Sequence, residues 1–331
     1  MQTPAATTPA LLQIDGLKLH FDTKAGTVRA LDGISFDLMP GESLGVVGET
    51  GSGKSMTARA VMGLVPSSGR IVGGSIRIDG QEVTQLPPKE WRAIRGRKVS
   101  MVFQEAKRAL NPVCTVGDQI IEAARQALGV SRSRASELSI AMLAKVGLAD
   151  PERIMKSYSF EMSGGMAQRA MIAIAVVGGA RLVIADEPTS ALDVSIQAQI
   201  LGLLRDLRSD LGSALILITH DLGVAAENCD RIAVMYLGQI VEIAPARMLF
   251  DNPVHPYTCG LLAALPSPVD RGKPIGTAAR TVPPPSGYVY ATRRGVDGMV
   301  SSETPTMVEI ESGHFVACLP IDPSRTTGDL T

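Results

Sequence analysis

Two periodicities alternate along this chain. "LQIDGLKLHF" and "ISFDL" alternate apolar and polar residues, the pattern of a half-buried strand. "SLGVVG" is instead an unbroken apolar run closed by glycine, the pattern of a strand covered on both faces. The spacing becomes helical from Ser55 to Leu64 and is stopped by "VPSSG". "GSIRIDG" is again strand-like. From Pro87 to about Tyr158 helical spacing dominates, as in "VGDQIIEAARQAL" and "SELSIAMLAKVGL", with Asp150–Pro151 as a breaker. From Ser163 the two periods interleave: helix "MAQRAMIAIAVV", strand "RLVIAD", helix "VSIQAQILGLLRDLRSDLG", then strands "ALILITH" and "RIAVMYLG". After about Asp251 proline and glycine rise and the periodicity fades.

Strands interleaved with helices predict an α/β fold with a parallel sheet under helical cover. The expected organisation is a core from residues 11–86 and 160–250, an inserted helical subdomain over 87–159, and a C-terminal extension over 251–331. The N-terminal alternating strands add an antiparallel β portion to that core.

Composition narrows the classes. The 331 residues suit one large domain with an appendage. A net charge of −1 with 20 % charged residues leaves no basic footprint, so no nucleic-acid partner is expected. The four cysteines include no C-x-x-C pair, which disfavours a disulfide framework or zinc site. The first residues lack a basic n-region, so no secretory signal is expected. The longest apolar run, residues 170–180, is far short of the roughly 20 needed to cross a bilayer. These features predict a soluble protein of a reducing compartment, reaching any membrane through a partner. The 14 methionines fall mainly on helical apolar faces and are expected in the core. The basic run "RAIRGRK", residues 92–98, is expected to be a solvated face, and Trp91 is assigned no function.

Three stretches carry chemistry. "GETGSGKS" comprises Gly48, Glu49, Thr50, Gly51, Ser52, Gly53, Lys54 and Ser55, between a predicted strand and a predicted helix. It fits G-x-x-x-x-G-K-[ST] in the context that motif requires. Its glycines let backbone N–H groups turn toward phosphate oxygens, aided by the helix N-terminus. Lys54 would reach the β- and γ-phosphates, and Ser55 would offer its hydroxyl to Mg²⁺. "RLVIADEP" ends a strand with Asp186 and Glu187, the first suited to the Mg²⁺ shell and the second to deprotonating the attacking water. His220 ends the next strand, where it would lie near the γ-phosphate. ATP and Mg²⁺ are the expected ligands.

"MSGGMAQRA" adds a more specific signal. Ser163, Gly164 and Gly165 resemble the L-S-G-G-Q signature of ATP-binding cassette (ABC) ATPases, although Met166 stands for the usual glutamine. Gln104 in "MVFQEA" resembles the Q-loop of that family, and "SALD", ending in Asp193, its D-loop. His220 resembles the switch histidine, and Phe21 lies where the family places an aromatic against adenine. The resemblance covers about residues 11–265. It implies an ATPase in which Glu187, His220 and Gln104 act on the γ-phosphate, with Mg²⁺ held through Ser55, Gln104 and Asp186. It also implies that the signature binds ATP of an opposite subunit, so that the working unit is a homo- or heterodimer.

"ALNP", "VGDQIIEA" and "NPVHPYTCGLLAALPSP" resemble the dipeptide/oligopeptide and nickel permease branch of bacterial importers. That implies two transmembrane permeases and an extracytoplasmic solute-binding protein as partners, and a peripheral place on the cytoplasmic face of the inner membrane. An exporter ATPase or a soluble ABC switch is the alternative. In the branch the tail often carries cysteines, and some members hold an iron–sulfur cluster there. Here Tyr288, Arg294 and Ser301 take three of the cysteine positions and only Cys318 remains. One thiolate cannot hold a [4Fe–4S] cluster, so no iron–sulfur site is expected, and the tail is expected to pack on the cassette or a sister subunit.

Overall fold

The first strands show how pattern becomes structure. β1 (Leu12–Thr23) buries Leu12 and Ile14, then Leu17 and Leu19. A strict two-residue period would turn the second pair to the opposite face. Gly16, at φ 55°, takes up the extra residue in a bulge, where the register with β2 (Gly26–Leu38) shifts between Ile14 and Leu17. Its amide donates to Ser35 Oγ at 2.8 Å. Keeping both leucines inside contributes about 3–6 kcal/mol, which outweighs the ladder bonds lost at a bulge. The chain then crosses to a second sheet as β3 (Ser43–Val47) and returns in β4 (Gly69–Ile78) and β5 (Gln81–Glu82). The antiparallel sheet has the order β2-β1-β4-β5.

The computed structural model describes residues 9–24, 26–190, 192–264, 284–286, 288–290 and 305–320. Its second sheet runs parallel through β6 (Val99–Val102), β7 (Leu182–Asp186), β8 (Ala214–Thr219), β3 and β9 (Arg231–Tyr236), in that spatial order. Every residue of β3, β6, β7 and β8 is buried, because both faces of a parallel sheet are covered. β10 (Gln239–Pro245) continues it antiparallel to β9. One core lies between the antiparallel sheet and this sheet, around Leu17, Leu31, Val61 and Ile216. A second lies under the helices on the other face, around Ile120, Ile172 and Leu217.

The helices follow in chain order: α1 (Lys54–Val61), α2 (Pro88–Ile94), α3 (Ala106–Ala109), α4 (Val116–Leu128), α5 (Arg132–Lys145), α6 (Pro151–Lys156), α7 (Gly164–Val176), α8 (Val194–Leu211), α9 (Leu222–Asn228), α10 (Ala246–Asp251) and α11 (Pro256–Ala263). Local chemistry sets several of their ends. Thr115 accepts from the Asp118 amide to cap α4, and Gly129 closes that helix in the left-handed conformation. Asp150–Pro151, expected as a breaker, instead opens α6: Asp150 caps it and Pro151 takes the first turn.

Residues 87–159 were expected to be one helical block. Within them, β6 pairs with β7 in the parallel sheet, so the helical block proper consists of α3 to α6. The basic run 92–98 also departs from a uniformly solvated face. Arg95 turns inward and donates to the carbonyls of Met62 and Gly63 beyond α1, at 3.0 and 2.8 Å. Its guanidinium lies 5.1 Å from the Trp91 ring centre.

Periodicity fades after Asp251 in the sequence, yet the extension joins the main sheet. β12 (Thr306–Glu311) and β13 (His314–Pro320) form a hairpin, and β13 pairs antiparallel with β10. A short β11 (Tyr288–Tyr290) pairs with the end of β13 on the side opposite β12, beyond the β10 pairing. The exposed edge that β10 would present is thereby covered. Arg294 and Ser301 lie outside the described residues.

Candidate nucleotide-hydrolysing site

Residues 48–55 link β3 to α1. Gly48 (φ 152°) passes so close to the next strand that a Cβ there would sit 2.2 Å from the Met235 carbonyl oxygen. At Gly53 (φ 106°) a Cβ would meet the Ala30 carbonyl at 2.8 Å. Only glycine fits either place. Lys54 is buried, and its Nζ donates to the carbonyls of Gly48 (2.7 Å) and Glu49 (2.9 Å). Burial lowers its pKa, while the charges of Glu187, Asp186 and Glu49 hold it up. Ser52 Oγ is buried with no hydrogen-bond partner among the described residues, a polar group whose desolvation is uncompensated there.

The carboxylates come from the end of β7. Asp186 Oδ1 accepts from Ser55 Oγ at 3.0 Å. Burial raises the Asp186 pKa, partly offset by that hydrogen bond. Glu187 follows in a left-handed conformation, φ 44°, unusual for a residue with a side chain. Its amide still donates to Ile218 at 2.9 Å, so the chain turns sharply without leaving the sheet. That turn carries the Glu187 carboxylate to two groups from other elements. Gln104 Nε2, just past β6, donates to Glu187 Oε2 at 3.1 Å. His220 Nδ1, just past β8, lies 3.6 Å from the same oxygen. Three strand ends thus converge on one carboxylate beside the loop.

The other sequence-predicted residues sit apart from this cluster. Ser163 is exposed at the N-cap of α7, its hydroxyl accepting from the Met166 amide at 3.3 Å, with Gly164 and Gly165 in the first turn. Asp193 is exposed at the start of α8. Phe21 packs its ring against Gly69 in the antiparallel sheet, where a Cβ on that glycine would come within 2.8 Å. It is half-buried and contributes to the core.

Sequence reasoning missed one loop contact. The Tyr257 hydroxyl, from α11 of the extension, accepts from the Glu49 amide at 3.2 Å. The signal was present in "HPYT", but nothing local ties that motif to a loop 208 residues earlier. Other extension residues converge nearby. Fully buried Glu242 on β10 accepts from the amides of Val254 and His255, each at 2.9 Å, and meets His314 Nε2 at 2.7 Å. Cys318 is buried among Val254, Val316 and Tyr290, and burial pushes its thiol up to about 11. The residues at the family's cysteine positions do not fit a four-thiolate cluster.

A parallel sheet with a phosphate-loop motif at one strand end and paired carboxylates at another defines a phosphate-loop nucleotide-binding fold. The ABC transporter family model matches residues 31–190, and the model for the C-terminal region of oligopeptide/dipeptide transporters matches residues 241–297. The oligopeptide transport ATP-binding protein AppD of Bacillus subtilis is 42 % identical over 93 % of this chain and 96 % of its own length. The oligopeptide transport ATP-binding protein OppD of Salmonella typhimurium is 42 % identical over 93 % of each chain. Among solved structures, the dimeric post-hydrolysis state of the ATP-binding cassette MJ0796, bound to ADP and Pi, matches with a TM-score of 0.63. It covers 71 % of this chain and 99 % of its own, at 24 % identity, and so speaks for the fold. The chain belongs to the oligopeptide/dipeptide family of ABC transporter ATP-binding proteins and is an ATPase.

Proposed function

We propose that this chain energises a bacterial peptide importer through hydrolysis at the Glu187 cluster. The carrying observation is the convergence of Gln104 and His220 on Glu187 Oε2, beside the Ser55–Asp186 hydrogen bond. In this reading the amides of residues 50–55 and the Lys54 ammonium hold the ATP phosphates. Glu187 takes a proton from water as that water attacks the γ-phosphorus. The bond to the β-phosphate oxygen breaks, and ADP and phosphate result. Gln104 and His220 orient the carboxylate and the transferred group.

The donors beside the loop are hard oxygens, a hydroxyl and a carboxylate, which suit Mg²⁺. Gln104 uses its amide nitrogen on Glu187, leaving its carbonyl oxygen for the cation. Ser55, Asp186 and Gln104 would hold Mg²⁺, which when bound neutralises charge on the phosphate oxygens.

Ser163, Gly164 and Gly165 form an exposed helix N-terminus, an anion-binding arrangement. It is assigned to the γ-phosphate held by a second cassette in a head-to-tail dimer, with Asp193 at the same junction. Phe21 is assigned to adenine, its exposed side being available for stacking. Between the core and the helical block lies a groove of about 680 Å³, lined by Met101, Phe103, Leu110, Gln119 and Met171 among others. Gln119 from "VGDQ" holds Asn111 of "ALNP" through two hydrogen bonds, at 2.9 and 3.1 Å. This groove is the proposed seat for a permease segment at the membrane's cytoplasmic face. No helix among the described residues is long and apolar enough to cross a membrane. Selectivity for solute would then lie in the permeases and a solute-binding protein.

The test is affinity purification of tagged Glu187→Gln protein from native membranes with Mg-ATP. Recovery of two multi-spanning permeases and a second cassette supports the importer. Recovery of soluble partners alone overturns it in favour of a soluble switch.

A further inference from the structure

The Gly48–Glu49 peptide is held from both sides. Its carbonyl accepts from Lys54 Nζ at 2.7 Å, and its amide N–H donates to the Tyr257 hydroxyl at 3.2 Å. No peptide among the described residues is cis. In a trans peptide the C=O and N–H point in opposite directions within one plane. Fixing the N–H therefore fixes the direction of the carbonyl that Lys54 meets. Gly48 has no side chain of its own to set that plane, and the two hydrogen bonds hold it from either side.

Tyr257 is itself held firmly. Its ring lies 4.4 Å from that of Tyr236, at the end of β9. Its amide donates to His255 Nδ1 at 3.2 Å, capping α11. The His255 amide in turn donates to Glu242, the carboxylate that also meets His314 on β13. Burial raises the phenol pKa, so the hydroxyl stays protonated while its oxygen accepts from Glu49.

We infer that Tyr257 is a positioning residue for the phosphate loop, through which the C-terminal extension sets the loop's affinity for nucleoside di- and triphosphates. The inference rests on the reading of residues 48–55 as the nucleotide site. It gives the "HPYT" helix a part in nucleotide binding as well as in packing.

The test uses purified full-length protein as wild type, Tyr257→Phe and Lys54→Ala. Tyr257→Phe keeps the ring and its stacking but removes the accepting oxygen. Equilibrium titration with Mg-ATP and Mg-ADP should show affinity reduced about 2- to 12-fold, the contribution of one hydrogen bond. In steady-state hydrolysis KM should rise with kcat unchanged, as for lost uniform binding. The melting temperature without nucleotide should stay at the wild-type value. Wild-type affinity in Tyr257→Phe, with Lys54→Ala losing binding, overturns this inference alone. A lowered melting temperature with unaltered affinity also overturns it, making Tyr257 a packing residue. Full binding by Lys54→Ala overturns the nucleotide-site reading and this inference with it.

Discussion

Ser55 Oγ and Asp186 Oδ1, 131 residues apart in the chain, are joined by a hydrogen bond of 3.0 Å. The bond ties the first turn of α1 to the end of β7 and brings two oxygen donors to the mouth of the phosphate loop. Removing the hydroxyl should therefore weaken the proposed cation site while sparing the fold. Ser55→Ala is expected to bind nucleotide without Mg²⁺ much as wild type does, but to lose the gain that Mg²⁺ provides. Parallel titrations with and without the cation check this. An unchanged Mg²⁺ gain would remove Ser55 from the site.

Glu187→Gln keeps the shape of the side chain but removes its basicity. Hydrolysis should fall about 10²–10⁴-fold, the range for loss of general-base action, while ATP affinity is retained. With Mg-ATP the variant should elute as a dimer in size-exclusion chromatography. Rapid hydrolysis by this variant would move the base elsewhere.

The Glu242–His314 pair is fully buried, and Glu242 also satisfies two amides near α11. His314→Ala would remove the ring partner of that carboxylate, which keeps its two amide donors. The expected loss is about 1–3 kcal/mol, the range for one buried hydrogen bond to such a group. Chemical denaturation measures it, and near-wild-type stability would show that β13 does not anchor the extension.

Asp230 provides a pH-dependent link. Burial acts to raise its pKa, but hydrogen bonds from Ser43 and the Arg208 guanidinium outweigh burial and lower it. A folded-state pKa below the unfolded one contributes stability above the unfolded value, and this is lost as pH falls through the folded value. Asp230→Ala should destabilise the protein at neutral pH, with the difference from wild type shrinking in acid below the ordinary carboxylate range. Thermal melts across pH test the sign; a difference that grows in acid would contradict the assignment.

Thiol reactivity should separate the cysteines. Burial pushes Cys229 up to about 12 and Cys318 to about 11, and it raises Cys259 as well. The thiolate is the nucleophile, so these three should resist alkylation near pH 8 in the native protein. Cys114, partly exposed, should react first. Fast labelling of Cys318, read by peptide mass mapping, would show that the hairpin opens.

Much of this protein could be read from short windows of sequence. The phosphate loop depends on glycines that alone tolerate the backbone angles at Gly48 and Gly53. Asp186–Glu187 at a strand end, the Thr115 cap and the alternation in β1 are likewise set by neighbours a few residues apart. The sequence alone determined the loop, the paired carboxylates and the α/β class, because backbone stereochemistry and side-chain period act locally, and it carried the signature through its resemblance to the family. The tertiary structure decided that Gln104 and His220 meet at one oxygen of Glu187, and that β6 leaves the helical block for the sheet. It also decided that a tail without clear periodicity completes the sheet beside β10 and brings Tyr257 to Glu49. Those contacts close loops of tens to hundreds of residues. Only packing of the whole chain around the parallel sheet fixes them, since no local propensity encodes a partner so far away.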